Sequence, residues 1–473
     1  MVETFQKKLS DSAAWRWTAL VLLASAMFFG YIFVDILSPL KDLLQIQRGW
    51  DSVAFGHYAG SEPFLNVFVF FLIFAGIILD KMGVRFTALL SGVVMLVGAA
   101  INWYAVTEAF MGSSLETWFN NHLNYIPGFD ELGISPFYLG MPASAKFAAV
   151  GFMIFGCGVE MAGITVSRGI VKWFTGHEMA LAMGVEMAIA RVGVAVVMLG
   201  APVLAHLTPV SVSRPVAFSL VLLCIGLMCF ITYGFMDKKL DAQGAKEEKD
   251  DPFKVKDIGK ILSLRMFWVV ALLCVLYYSA IFPFQKYAIN MLQCDLGFTA
   301  SQAGLVFFVF PLGAAAITPF LGNYLDHKGK GATMMILGAI LMIVCHLTFA
   351  FVVPATQSVI ITYLAIILLG ISFSLVPAAM WPSVPKLIDN KLLGSAYALI
   401  FWIQNIGLYA FPMIIGSVLA ACNPGVTDPT KLDYTVPMCL FASLGVFALF
   451  LGIYLKVLDK KGGYGLEEPN IKS

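Results

Sequence analysis

The sequence predicts an all-α membrane protein of twelve transmembrane helices arranged in two six-helix halves. Of its 473 residues, 59% are hydrophobic and only 12% are charged, whereas soluble proteins are about 45–50% apolar and about 25% charged. The apolar residues form twelve windows of roughly spanning length, and one short motif occurs in both halves. Repetition of this kind is typical of membrane folds built by duplication.

The twelve windows are separated by short polar breaks. A helix needs about 20 mainly apolar residues to cross a bilayer, and Gly or Pro within a span is tolerated when neighbouring helices satisfy the freed backbone groups. The predicted spans cover residues 16–38, 53–79, 85–106, 143–172, 178–202, 215–236, 266–292, 301–325, 332–353, 358–385, 394–420 and 436–457.

The positively charged residues predict the orientation. Lysine and arginine are enriched in cytoplasmic loops, and most of the 30 in this chain lie in segments on the N-terminal side of the membrane. An even number of spans places both termini on that side. Both termini are therefore expected to be cytoplasmic.

Two long polar segments interrupt the spans. Residues 237–264 form the longest of the inner segments and divide an N-terminal half, residues 1–236, from a C-terminal half with its tail, residues 265–473. The outer segment, residues 107–142, is rich in aromatic side chains. We expect it to fold over the outer mouth as a cap, although passive packing would account for its composition equally well.

The repeated motif lies at the inner end of the second span and again at the inner end of the eighth. It reads Gly76-Ile-Ile-Leu-Asp80-Lys-Met-Gly83 in the first half and Gly322-Asn-Tyr-Leu-Asp326-His-Lys-Gly329 in the second. Glycine allows close approach of helices, and aspartate can pair with a cation or interact with a helix N-terminus. The first copy also has Arg85 two residues beyond it.

Two ionisable residues lie near the middle of predicted spans, Glu160 in the fourth and Arg191 in the fifth. A charge at the centre of a spanning helix costs about 2.5–3.5 kcal/mol on insertion scales, so it usually faces the bundle interior and marks a substrate or ion path. Arginine offers a planar fork for a carboxylate, and glutamate can accept an ammonium group. A buried ion pair that only fixes packing is the alternative. Glu186 lies about 140° around the same helix from Arg191, so the two side chains cannot both face one cavity squarely.

Motifs of enzymes are absent from the sequence. It contains no phosphate-binding loop, no His-Glu-x-x-His and no nucleophile elbow, so we expect neither catalysis nor ATP-driven transport within this chain. No cofactor and no metal are expected. The expected partners are a small-molecule substrate and membrane lipid, with no nucleic acid, and the chain is expected to act as a monomer.

The arrangement of spans and motifs resembles the major facilitator superfamily. In that family the repeated motif stabilises the outward-open state, which implies a gating role for the matching positions here. Those positions are Gly76, Asp80, Gly83, Arg85, Gly322 and Asp326.

Four segments resemble more specifically the branch of this superfamily that includes a lysosomal dipeptide uniporter. They are Tyr31-x-x-x-Asp35, the segment from Gly156 to Glu178, Ala-Arg-Val-Gly at Arg191, and Trp381-Pro382 with the segment from Gly394 to Gly407. In that branch an acid of the fourth helix and an arginine of the fifth contact the dipeptide, and Glu160 and Arg191 match them. The candidate substrate-binding residues are Arg191, Glu160, Tyr31, Asp35, Tyr278, Lys286, Trp381, Gln404 and Asn405.

The resemblance implies a secondary transporter that moves small zwitterionic solutes, above all dipeptides, by alternating access and without strong proton coupling. An organic-anion carrier and a membrane receptor that does not transport are the alternatives. The sequence lacks an acidic dileucine signal and Asn-x-Ser/Thr sites, and its outer loop is longer than in the lysosomal branch. We therefore expect a bacterial relative in the inner membrane.

Overall fold

The computed structural model describes residues 8–243, 255–389 and 392–469. Part of the predicted linker, residues 244–254, lies outside the described residues, as do residues 1–7 and 470–473 at the ends of the chain. The helix before the linker continues to Asp241, so the first residues predicted as linker are helical.

The described chain folds almost entirely into helices, and eleven of them are long and apolar enough to cross a membrane. Apart from three short 3₁₀ or π segments, the helices are α1 (Ala13–Val34), α2 (Lys41–Arg48), α3 (Ser52–Ser61), α4 (Phe64–Phe68), α5 (Phe71–Ala105), α6 (Ser114–His122), α7 (Ala143–Phe174), α8 (Met179–Ala205), α9 (Ser213–Asp241), α10 (Val255–Leu262), α11 (Arg265–Leu296), α12 (Ala300–Phe307), α13 (Val309–Lys328), α14 (Gly331–Leu347), α15 (Val353–Thr356), α16 (Val359–Leu387), α17 (Leu393–Cys422) and α18 (Thr435–Gly462).

The second membrane crossing is broken, which corrects the expectation of one helix over residues 53–79. It consists of α3, α4 and the beginning of α5. The first break precedes α4 at Pro63, which has no amide hydrogen to continue a helix, and the second is at Phe70, whose φ is 55°. Within α5 the backbone turns at Gly83, where φ is 78° and ψ is 169°, so α5 also contains the third crossing. Together with the eleven long apolar spans, this broken crossing gives the predicted total of twelve crossings.

Neighbouring helices compensate for the breaks in the second crossing. The Trp402 indole Nε1 on α17 donates to the Val67 carbonyl oxygen at 2.9 Å, and the Ser61 hydroxyl at the end of α3 lies 3.3 Å from the Ala149 carbonyl oxygen of α7. A methyl group added at Gly156 of α7 would lie 2.2 Å from the Glu62 carbonyl oxygen. Helix α7 therefore packs its backbone directly against the first break.

The two halves meet on the side of the membrane opposite the termini, which we call the outer side. A Cβ atom at Gly56 of α3 would lie 2.5 Å from the Pro412 carbonyl oxygen of α17, and one at Gly416 would lie 2.3 Å from the Ser52 carbonyl oxygen. Glycine at these positions lets the two backbones touch. The outer side is closed.

The opposite, terminal side is open. A Cβ atom added at Gly76 of α5, Gly184 of α8 or Gly322 of α13 would have no atom of another segment within 4 Å in the described part of the chain. Gly76 and Gly322 are the first residues of the two copies of the repeated motif. The close backbone contacts of the outer side therefore have no counterpart at these glycines, as expected for a cleft that opens toward the side of the termini.

The outer segment between α5 and α7 covers the seam between the halves. The Tyr409 hydroxyl of α17 donates to the Ile134 carbonyl oxygen of this segment, and the Phe129 ring packs on Phe64 and Phe68 of α4 at centroid distances of 5.8 and 4.9 Å. The segment thus contacts both halves, in the position expected of a cap.

Two glycines in the same crossing allow a test of alternating closure. We expect Gly56→Leu to prevent outer closure and Gly76→Leu to prevent closure on the terminal side, because each adds bulk where only one state has room. Each change should therefore hold the chain in a single state. Only Gly56→Leu should expose a cysteine placed at Ser52, which is only 5% exposed in this state.

The measurement is labelling of Ser52→Cys by an impermeant maleimide added on the outer side, in a background with the exposed Cys224 and Cys422 replaced by serine. Labelling should rise with Gly56→Leu and stay low with Gly76→Leu. Equal labelling in the two variants would contradict the assignment of the two sides.

Candidate functional site

Polar side chains from five helices lie around a cleft between the halves at mid-membrane depth. We call this set the central cleft, and its members are Tyr31 of α1, Glu160 of α7, Arg191 of α8, Tyr278 of α11 and Trp381 of α16. Each of the five is partly exposed. Ionisable residues within membrane helices normally face a water-filled cavity or a partner, so these side chains are placed as expected for the lining of a polar cavity.

Arg191 is oriented by the C-terminal half. Its Nη1 donates to the Ala314 carbonyl oxygen of α13 at 3.2 Å and to the Thr318 hydroxyl. The guanidinium carbon lies 4.8 Å from the centroid of the Phe373 ring of α16, a cation–π distance. Its Nε and Nη2 donate no hydrogen bond within the described residues, so that edge of the fork remains available to a ligand.

Glu160 has no ion pair and no hydrogen bond to any residue that the structure describes. The structural Glu160–Arg191 ion pair, one alternative raised by the sequence, is therefore not formed. Tyr31 lies within electrostatic range of both Glu160 and Arg191. The acid and the arginine therefore face the same cleft while remaining unpaired with each other.

The other predicted cleft residues differ in accessibility. The Trp381 Nε1 donates to the Tyr278 hydroxyl at 3.1 Å, which fixes both rings at the cleft. Gln404 and Asn405 of α17 are buried, at 9% and 4% exposure, and the Gln404 side-chain oxygen accepts a weak bond from the Cys274 thiol at 3.4 Å.

Asp35 and Lys286 form an ion pair on the outer side of the cleft. The Lys286 Nζ lies 2.7 Å from the Asp35 Oδ1, and the two side chains are 12% and 3% exposed. Gln285 and Ser38 also donate to the Asp35 carboxylate, at 2.6 and 3.0 Å. Because Asp35 belongs to the N-terminal half and Lys286 to the C-terminal half, the pair joins the halves where they are closed.

Of the predicted gating residues, the two charged ones of the first motif, Asp80 and Arg85, form ion pairs within the N-terminal half in this state. Asp80 pairs with Arg168 of α7 at 2.5 Å, and Arg85 pairs with Asp241 of α9 at 2.9 Å. Gly83 and Gly329, which match in the two copies of the motif, both have positive φ, at 78° and 70°. Glycine is favoured there because other residues adopt this conformation at a cost.

Comparison with known proteins places these observations in a family. A model described as the Major Facilitator Superfamily matches residues 132–412 and 286–468. The lysosomal dipeptide transporter MFSD1 of Danio rerio is 30% identical over 335 residues, covering 67% of this chain and 68% of the relative. The chain belongs to the major facilitator superfamily. Its twelve crossings, repeated motif and inter-half cleft are those of a secondary transporter, and its relatives are transporters and not enzymes.

Other members of the superfamily show how far the likeness extends. The human lysosomal dipeptide transporter MFSD1 is 27% identical over 279 residues, which cover 57% of this chain and 58% of that protein. The chain thus matches under two thirds of the length of the human relative.

Solved structures of the superfamily share the fold at low identity. The nucleoside transporter NupG superposes with a TM-score of 0.65 at 12% identity, covering 93% of this chain and 99% of NupG. The D-xylose–proton symporter gives 0.64 at 16%, with coverages of 93% and 97%. A bacterial homolog of the human lysosomal transporter Spinster gives 0.65 at 12%, with coverages of 95% and 98%.

Several residues at the central cleft were not predicted from the sequence. Thr318 and Phe373, which orient Arg191, carry no distinguishing signal because threonine and phenylalanine are ordinary in apolar helices. Glu62 lies at the first break of the second crossing, next to α7. The Glu62-Pro63 pair within an apolar window was the signal that could have revealed it.

Proposed function

We propose that this chain transports small zwitterionic solutes, most of all dipeptides, through the central cleft. The observation that carries the proposal is the presence of an unpaired carboxylate, Glu160, and a partly free guanidinium, Arg191, on the same cleft, with Tyr31 in range of both. The dipeptide transporters among its relatives support this choice of substrate.

The two charged groups suit the two ends of a dipeptide. The Nε and Nη2 edge of Arg191 can bind the terminal carboxylate bidentately, and the contacts with Thr318 and Phe373 keep the fork in a defined plane. Glu160 can accept the α-ammonium group. An arginine that is held in place loses less conformational entropy on binding than a mobile one.

Transport would proceed by alternating closure of the two sides. The state seen here presents the cleft on the side of the termini; with cytoplasmic termini, as the lysine and arginine distribution suggests, this is the inward-open state. We propose a uniporter of a bacterial inner membrane. Opening of the outer side would require separation of α3 from α17 and of Asp35 from Lys286.

A ligand screen tests the proposed substrate. A ligand that binds only the folded state stabilises it by RT ln(1 + [L]/Kd), about 2.7 kcal/mol at 100 times Kd. Purified protein should show a raised melting temperature with Ala-Ala, and little change with alanine, succinate, uridine or xylose. A rise with succinate alone would favour the organic-anion carrier, and binding of Ala-Ala without flux into proteoliposomes would favour a receptor.

The role of Glu160 can be tested separately. We expect Glu160→Gln to weaken binding of Ala-Ala about tenfold or more, because a hydrogen bond between charged groups contributes about 1.5–3 kcal/mol. It should have little effect on N-acetyl-Ala-Ala, which has no ammonium group. Equal weakening of the two ligands, measured by isothermal titration, would show that Glu160 does not bind the amine.

A further inference from the structure

The segment that follows α18 folds back onto the second copy of the repeated motif. We call this segment, residues 463–469, the strap. The Lys330 amide, at the turn between α13 and α14, donates to the Glu467 carbonyl oxygen at 3.0 Å. The Gly331 amide donates to the Leu466 carbonyl oxygen at 2.9 Å, and the Leu466 side chain is buried. The strap is therefore docked on the turn at which the second copy of the motif ends.

The strap also caps the N-terminus of α14. The first N–H groups of a helix have no partner within it, and Lys330, which precedes α14, provides no side-chain cap. The Glu467 carboxylate accepts instead from the Thr333 amide at 2.8 Å and from the Thr333 hydroxyl at 2.7 Å. A carboxylate is favoured there because the helix dipole is positive at its N-terminus. Lys456 of α18 donates to the same hydroxyl at 2.6 Å, so the strap joins the beginning of α14 to α18.

The ends of α9 and α18 correspond in sequence. Asp237-Lys-Lys near the end of α9 recurs as Asp459-Lys-Lys near the end of α18, and both aspartates are buried. Four residues farther on, the first half has Asp241 and the second has Gly463. The second half therefore has no carboxylate at the place of Asp241.

The position beyond the motif differs in the same way. Arg85 lies two residues after the last glycine of the first copy, and Gly331 lies two residues after the last glycine of the second. Arg85 pairs with Asp241 at 2.9 Å, whereas Gly331 and Gly463 have no side chains with which to form an ion pair. A Cβ atom at Gly331 would lie 2.9 Å from the Leu466 carbonyl oxygen. The glycine that removes the ion pair thus also makes room for the strap.

The lysines near the inner ends of α7 and α16, the fourth crossing of each half, have different kinds of partner. Lys172 of α7 pairs directly with Asp237 at 2.8 Å. Lys386 of α16 donates instead to two carbonyl oxygens of the strap, at 3.0 and 3.1 Å, and Asp459 accepts from a strap amide at 3.1 Å. In the second half the strap therefore lies between a lysine and an aspartate whose counterparts in the first half are in contact.

We propose that the strap is an internal gating element that replaces, in the second half, the ion pairs that fix the motif in the first. It connects the α13–α14 turn to α16 and α18, as Arg85 and Lys172 connect α5 and α7 to α9. While the strap is docked, the inner ends of these helices move as one body. Closure on the terminal side depends on this, because both copies of the motif lie at the side that has to close. When the strap is released, the turn moves independently and closure slows.

The first test reverses the charge that caps α14. Glu467→Lys places an ammonium group at the positive end of the helix, beside Lys456, so the strap should detach. Hydrogen exchange of the first turn of α14 should become about tenfold faster, as expected for loss of a helix cap. Flux of Ala-Ala into proteoliposomes should slow. The affinity for Ala-Ala, measured by isothermal titration, should stay within about twofold, as expected for a change remote from the central cleft.

Glu468→Lys is the matched control. It makes the same charge change one residue farther along the strap, where the side chain is exposed and forms no ion pair or hydrogen bond with another residue that the structure describes. Exchange at α14 and flux should both remain at the parent level.

The second test supplies the ion pair of the first half in place of the strap. Gly331→Arg should displace the strap, because the added side chain has no room beside Leu466, and flux should slow. Combining it with Gly463→Asp recreates the pattern of Arg85 and Asp241, and aspartate tolerates the left-handed conformation of Gly463, whose φ is 67°. Flux should then recover, although exchange at α14 stays fast.

Several results would overturn the proposal. Unchanged exchange in Glu467→Lys would show that the strap does not cap α14, and faster exchange with unchanged flux would reduce it to a helix cap. Equal effects of Glu467→Lys and Glu468→Lys would indicate general electrostatics. Absence of recovery with Gly463→Asp would show that the strap is not the counterpart of the ion pair. The exchange measurement needs no solute, so failure of the proposed function is seen separately, as absence of Ala-Ala binding by the parent protein.

Discussion

Arg191→Ala is expected to abolish dipeptide-induced stabilisation, with binding at least about 100-fold weaker. Two hydrogen bonds from the guanidinium to a carboxylate are lost, each worth about 1.5–3 kcal/mol, and each 1.4 kcal/mol corresponds to a factor of ten in affinity. Arg191→Lys should rescue little, because an ammonium group cannot form the bidentate contact or reproduce the stacking on Phe373. Thermal shift and isothermal titration with Ala-Ala provide the measurement.

The control for Arg191 is Arg265→Ala, which removes an arginine from the terminal side of α11. Arg265 lies 5.0 Å from the centroid of the Tyr454 ring, away from the cleft, and its loss should leave dipeptide binding unchanged. If Arg191→Ala bound dipeptides as tightly as the parent protein, the site would have to lie elsewhere, and Lys286 would be the next cation to test.

Lys286→Met is expected to open the outer side. Among the described residues, the change leaves the buried Asp35 carboxylate with Gln285 and Ser38 as its remaining partners. Removal of one member of a buried ion pair typically costs about 3–5 kcal/mol. A state in which water reaches Asp35 avoids this cost. Outer labelling of Ser52→Cys should therefore rise, and transport should fall.

The exchange Asp35→Lys with Lys286→Asp tests whether the pair itself is responsible. It restores opposite charges across the same interface and should return labelling toward the parent level, with a coupling between the two sites that is larger than expected for independent positions. If the exchange labels as strongly as Lys286→Met, the effect arises from local packing and not from the ion pair.

The parts of this molecule that could be predicted from sequence are those with a local signal. Twelve apolar windows gave the class and the fold, and Glu160 and Arg191 were detectable because a charge is conspicuous in an apolar helix. The two aspartates of the repeated motif were detectable by repetition. The matching left-handed conformations of Gly83 and Gly329 supply a physical reason for the glycine at the end of each copy.

The remainder depends on contacts between distant segments. The pairing of Asp35 with Lys286 joins helices from opposite halves, and neither residue identifies the other. The first break at Glu62 lies in a window that remains apolar on average, so hydropathy does not detect it, and Phe70 is an unusual residue for a left-handed conformation. Thr318 can be recognised as the partner of Arg191 only after α8 and α13 are packed together.

The interrupted second crossing has a mechanical consequence. A continuous helix would act as a lever, so that separation of Gly56 from α17 on one side would force movement of Gly76 on the other. The breaks at Pro63 and Phe70 lie between these two glycines and absorb rotation locally, while Gly156 and Trp402 hold the short middle piece in place. The terminal-side segment can therefore swing inward before the outer contacts separate. We expect this crossing to pass through a state in which both of its ends are closed, without any bending of an intact helix.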